Sequence, residues 1–217
     1  MKNMILIIAA IATLPLSSIA QQAPKTLTQL VTALDKASTV TDYQALANDF
    51  KQITTSQKTD WLPYYYAALC NARTAWFYED DGEKIEPFAR LADEQARQAL
   101  LLIDTSSQQG AVSELYCVLS MANRAMVFIN PATYGRQYGP KAGAYLQLAL
   151  KANPENPRAL YIAGWEKYAT PKAWGGDKVK ARALLTEAQQ KLANSTSFSV
   201  QPHWGQTEVA ALLKQIK

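Results

Sequence analysis

The sequence predicts an all-α fold, a short α-solenoid of antiparallel helix pairs, and three observations carry that prediction. Apolar residues recur at three- and four-residue intervals from Leu27 onward, and no segment alternates with period two for long enough to make a strand. The second helix of each pair repeats one rhythm of small and large residues: Ala92-x3-Ala96-x2-Ala99-Leu100, Ala142-x3-Leu146-x2-Ala149-Leu150 and Ala181-x3-Leu185-x2-Ala188. The first helices align independently as Tyr65/Leu115/Leu160 and Leu69/Leu119/Gly164, and the two alignments agree on a step of 50 residues between the first two repeats. A unit of this size buries little alone and must stack on its neighbours.

Taken in order, Thr26 to Lys36 reads as a first short helix, and Thr41-Asp42 reads as the cap of a second that ends near Thr54 with Tyr43, Leu46, Ala47 and Phe50 on one face. A third helix spans about 62–78, and Asp80-Asp81-Gly82 breaks the chain after it. A fourth spans about 84–103, with Pro87 tolerated in its opening turn. Leu115, Leu119, Ala122, Met126 and Ile129 mark the fifth, the sixth follows Gly139-Pro140, and three more cover 158–168, 178–192 and 207–216. Residues 27–54 then form an N-terminal cap, 61–193 three helix pairs, and 207–217 a C-terminal helix.

The stretch Asn153-Pro154-Glu155-Asn156-Pro157-Arg158-Ala159-Leu160-Tyr161-Ile162-Ala163-Gly164-Trp165 closes one repeat and opens the next, and with its flanks it resembles a tetratricopeptide-type repeat. The likeness covers roughly residues 60–193; the intervals exceed the standard repeat of about 34 residues, and Leu160 and Lys167 depart from its pattern. The sequence is also similar to small exported repeat proteins of Gram-negative bacteria. What the resemblance implies is a helical scaffold that holds a peptide or protein on a concave face.

Residues 1–20 carry the address. Met1-Lys2-Asn3 is a positive start, Met4 to Leu14 is apolar, and Ser18-Ile19-Ala20 offers a small-residue cleavage site. An apolar run of 11 residues is too short for a bilayer core that needs about 20, so it reads as a signal peptide. The mature part, 21–217, is expected as one domain in the periplasm or beyond, with no stable membrane anchor after cleavage because no Cys follows the cleavage site. Without Lys2, 21 basic residues face 18 acidic ones, interspersed and without a basic run, which leaves a nucleic-acid partner unsupported.

Catalytic chemistry finds little material here. The single histidine, His203, has no motif-placed nucleophile or carboxylate beside it, and neither zinc nor Cys-His spacing occurs, so no catalytic residue, metal or cofactor is expected and the chain reads as a non-enzyme. Glu79-Asp80-Asp81-Gly82-Glu83 lacks the ligand spacing of a calcium loop and reads as a solvated helix start. Asn194-Ser195-Thr196 matches a glycosylation acceptor of no weight in this context. Cys70 and Cys117 are expected to stay unbridged, because the repeat register sets them about a turn apart on different helices.

Two constellations are candidate binding surfaces. One residue beyond the core positions lie Tyr66, Tyr116 and Tyr161, and seven residues further Arg73, Asn123 and Tyr168. In tetratricopeptide proteins this face lines the concave groove, so the six are expected on one partly accessible surface that binds a partner; the alternative is tyrosines packed between repeats. The second set is Tyr134, Trp174 and Trp204, each following a Pro and preceding a Gly between helices. These rings either clamp a ligand or fold over helix ends, and the structural role is the one expected, with Trp174→Ala costing about 3 kcal/mol. The function expected is a peptide- or protein-binding module; the alternative is a small-molecule carrier, because Trp174-Gly175-Gly176-Asp177 resembles a turn of repeat proteins that accompany solute transporters.

Overall fold

The computed structural model describes residues 25–193 and 200–216. Within them the chain is all-α, with helices α1 (Leu27–Leu34), α2 (Val40–Ser56), α3 (Trp61–Phe77), α4 (Gly82–Leu100), α5 (Gln109–Ile129), α6 (Tyr134–Ala152), α7 (Pro157–Ala169), α8 (Lys178–Ala193) and α9 (Gln206–Gln215), plus a 3-10 turn at Lys172–Trp174. The segment read as a signal peptide and the Asn194-Ser195-Thr196 motif lie outside the described residues.

Composition sorts the helices into two rows. The second helices bury narrow stripes of small residues: Ala89, Ala92, Ala96 and Ala99 in α4, Ala142, Leu146 and Ala149 in α6, and Ala181, Leu185, Ala188 and Leu192 in α8. Small side chains at three- and four-residue spacing bring helix axes close on one face and leave the other to water. The first helices are buried far more widely, and α3 packs on α5 as α5 packs on α7. The central helix α5 is long and apolar enough to cross a membrane, yet its burial comes from packing against α3, α4, α6 and α7. Leu30 of α1 and Ile216, after α9, belong to the same hydrophobic core.

Polar side chains fix the register between rows. Ser113 and Ser120 of α5 donate to the carbonyls of Ala149 and Ala142 on α6 at 2.8 and 2.9 Å. Asn156 caps α7 by accepting from the Arg158 N–H at 2.9 Å while donating to Ser113 Oγ at 2.8 Å, so the Asn-Pro turn that stood out in the sequence joins three helices. Gly164 lets α7 approach α8, since a Cβ there would lie 2.7 Å from Leu185 Cγ.

Three element starts differ from expectation. The cap of α2 is Thr39 rather than Thr41-Asp42, because Asp42 serves as the third residue of a capping box that receives the Thr39 N–H at 3.0 Å. Helix α4 begins at Gly82, inside the stretch read as a break. Helix α6 begins at Tyr134 and carries Pro140 within it, where a start after Gly139-Pro140 was expected. The stacked rings of Tyr134 and Tyr138 pack on a small core of Ala75, Ile85, Ala89, Ala125 and Met126, and this packing outweighs the one backbone bond that Pro140 cannot make.

Candidate functional site: an aromatic cleft closed by the C-terminal segment

The C-terminal segment turns back across the inner row, formed by the first helices α3, α5 and α7. Tyr66 of α3 donates its hydroxyl to the Val200 carbonyl at 2.7 Å, His203 Nε2 lies 2.8 Å from Asp35 Oδ1 at the end of α1, and Arg73 of α3 pairs with Glu208 of α9. Gly205, at φ 117°, supplies the left-handed turn that starts α9, where a side chain would strain the backbone. Between this segment, the α1–α2 junction and the inner row lies an open cleft of about 880 Å³, within the range of about 300–1,000 Å³ usual for small-molecule sites.

Aromatic rings line the cleft. Tyr43 of α2 faces Phe77 of α3 at 5.6 Å between centroids, and Phe77 is half exposed. Trp76 and Trp165 lie 4.7 Å apart, and the Trp76 indole is fixed by donating to the Met121 carbonyl at 2.8 Å. One turn before Trp165 on α7, Tyr161 meets Trp204 edge to face at 6.2 Å. Charge is confined to few groups: Asp35, Lys36, Glu79, and the pair Arg73–Glu208. Burial pushes the Tyr161 and Tyr66 phenols well above the usual tyrosine range, so both stay neutral donors or stacking surfaces.

The six residues expected on one concave surface are divided. Tyr66, Arg73 and Tyr161 line the cleft, but Tyr66 is only 2% exposed and Tyr161 8%, because the C-terminal segment covers the face that the repeat register left open. Asn123 is buried on the far side of α5, donating to Asp93 of α4 at 3.2 Å in a separate groove between α4 and α6. Tyr116 stacks on Tyr145 of α6 at 6.0 Å, whereas its register equivalent Tyr66 stacks on Phe50 of α2 at 5.1 Å; α5 presents that position to the following helix and α3 to the preceding one. Tyr168 lies at the α7–α8 end beneath Lys178.

The three Pro-aromatic-Gly turns separate as well. Trp204 is half-buried in the cleft, and Tyr134 packs at the start of α6. Trp174 does not cover a helix end: it is 81% exposed, since Gly175 at φ 94° and the bond from Asp177 N–H to the Lys167 carbonyl close the turn without the ring. Sequence reasoning missed Tyr43, Trp76, Phe77 and Trp165. Trp76, Phe77 and Trp165 lie toward the C-terminal ends of α3 and α7, whereas Tyr43 sits in the first turn of α2. Among the described residues no group of three or more His, Cys, Asp or Glu is placed to hold a metal ion, and Cys70 and Cys117 are buried and unbridged.

Comparison with solved structures finds the HusA haemophore from Porphyromonas gingivalis, 30% identical to this chain, with a TM-score of 0.75 over 88% of this chain and 90% of that one. The chain belongs to the HusA family. The HusA likeness extends well beyond the repeat core, since 88% of the chain exceeds what residues 60–193 alone supply. No protein-family model matches, the tetratricopeptide one included, and no curated protein matches. Kinship with HusA therefore stands where the tetratricopeptide resemblance stood as the relation that spans the fold.

Proposed function

We propose that this protein is an exported haem carrier that holds its ligand in the aromatic cleft. The carrying observation is the family relation to a haemophore, met by a cleft whose size and aromatic lining suit a flat conjugated ring. Planar aromatic surfaces such as Trp76, Trp165 and Trp204 gain both apolar burial and favourable ring geometry from a macrocycle laid against them. The lone histidine has both ring nitrogens engaged, Nδ1 at 2.8 Å from the Gln201 carbonyl and Nε2 on Asp35, so stacking is the cleft's main contribution.

The cleft suits a carrier better than a peptide-binding module. The face that a tetratricopeptide protein offers to a peptide is here crossed by the protein's own residues 200–208, and what is left open is a pocket of small-molecule size. The two rows of helices support a tetratricopeptide-like stack as the scaffold, and the leader read in residues 1–20 supports release to the periplasm or beyond.

Titration of haemin into residues 21–217 tests it. Three of the five tryptophans line the cleft, so haemin is expected to quench most of the tryptophan emission while its main visible band shifts. Trp204→Ala and Trp165→Ala weaken binding, whereas Trp174→Ala leaves it unchanged. An unshifted haemin spectrum at micromolar protein, or equal losses from all three substitutions, refutes the proposal.

A further inference from the structure

Arg73 carries a half-filled carboxylate site at the wall of the cleft. Its guanidinium lies over the Tyr43 ring at 5.4 Å and over the Trp204 ring at 4.9 Å, and Nη1 donates to the Tyr43 hydroxyl at 2.8 Å. Nη2 pairs with one oxygen of Glu208, Oε1. Nε, next to it on the same edge, is buried and has no acceptor. A carboxylate bound side-on to a guanidinium fills both nitrogens of one edge with parallel charge-assisted bonds, and a buried N–H without an acceptor is costly.

We propose that the Nε–Nη2 edge of Arg73 is the subsite for a ligand carboxylate, and that Glu208 is an internal stand-in which the ligand displaces. This rests on the cleft being the ligand site. Glu208 meets the edge through one oxygen, so an incoming carboxylate that uses both gains a bond that Glu208 does not make. Once released, Glu208 is not stranded: it lies in the first turn of α9, where the helix dipole favours a negative charge, and its side chain is 27% exposed. Because Glu208 is the tie from α9 to α3, the exchange also loosens the C-terminal wall as the ligand enters. A flat conjugated ligand with peripheral carboxylates, such as haem with its two propionates, satisfies the rings and the edge together.

Binding of haemin and of haemin dimethyl ester, measured by tryptophan quenching, tests the subsite. The native protein is expected to prefer haemin by about tenfold, the scale of one charge-assisted bond. Arg73→Gln abolishes the preference. Glu208→Gln, at a partly exposed position that folding tolerates, tightens haemin several-fold and leaves the ester unchanged. Opposite effects from the two partners of one ion pair distinguish a stand-in from a structural link, which would weaken both ligands on loss of either partner. Equal binding of haemin and ester by the native protein, or weaker haemin binding by Glu208→Gln, overturns the subsite and leaves the cleft reading in place. If neither haemin nor the ester binds, the cleft reading is overturned, and the subsite with it.

Discussion

The indole N–H of Trp204 donates to the hydroxyl of Tyr65 at 2.7 Å, and that hydroxyl donates onward to Glu114 Oε2 at 3.1 Å. The other oxygen of Glu114 receives Nε and Nη2 of Arg158, the first at 2.9 Å. A wall of the cleft is thereby tied through the inner face of α3 to a buried ion pair between α5 and α7. Tyr65 is wholly buried, and burial, followed by the Glu114 charge, raises its phenol well above the usual range, so the hydroxyl keeps its proton and donates throughout the working pH range.

Tyr65→Phe keeps the ring and removes the link. The indole N–H and one carboxylate oxygen each lose a partner, and the expected loss is about 2 kcal/mol, read as a melting temperature lower by about 4–8 °C. Haemin binding should weaken too, because Trp204 is freed to rotate. A variant that melts like the native protein would show that the hydroxyl carries no such link.

The Glu114–Arg158 pair is predicted to be costly to break from one side and cheap to remove whole. Their side chains are 7% and 10% exposed. Arg158→Met strands a buried carboxylate and should cost about 3–5 kcal/mol. Adding Glu114→Gln removes the charge while keeping an acceptor for Tyr65, so the double variant should be more stable than Arg158→Met alone. Urea unfolding of the three proteins measures the difference, and a double variant that is weaker still would contradict it.

The helices and their cores were legible because each apolar stripe is written within one helix. The register positions Tyr65, Leu115 and Leu160 are buried at 0%, 0% and 5% exposure, as a repeat alignment requires. The cleft was not legible in that way. Its decisive contacts join Tyr66 to Val200 and Asp35 to His203, and periodicity says which face of a helix is apolar without saying which distant segment covers it. Trp174 and Trp204 follow nearly the same short pattern, yet only Trp204 finds a buried hydroxyl to receive its N–H. A pattern of that length fixes the turn and leaves the partner of the ring open.

Trp174→Ala is therefore expected to be nearly neutral, within about 0.5 kcal/mol, where a ring covering a helix end would have cost about 3. The melting temperature should move by less than about 2 °C. A fall of about 6 °C or more would mean that the exposed ring is covered in solution.

Alkaline pH should unfold the protein, and the sign follows from its buried acids. Burial pushes the Cys70 thiol up to about 12, and burial with the Glu114 charge raises Cys117 as well; Tyr65, Tyr66 and Tyr161 are raised chiefly by burial. Each of these groups loses its proton more easily in the unfolded chain, so above its unfolded value the native state binds more protons. Stability is complete below about pH 8.5, the ordinary thiol value, and falls as pH rises past it, first through the two thiols and above about pH 10 through the tyrosines. Each group contributes about 1.4 kcal/mol per pH unit within its window. Urea midpoints at pH 8, 9 and 10 should decline, and Cys70→Ala with Cys117→Ala should flatten the first part of that decline. Thiol titration at pH 8 should find no reactive cysteine in the native protein and two after unfolding. A midpoint constant from pH 8 to 10 would mean that the thiols reach solvent in the folded state.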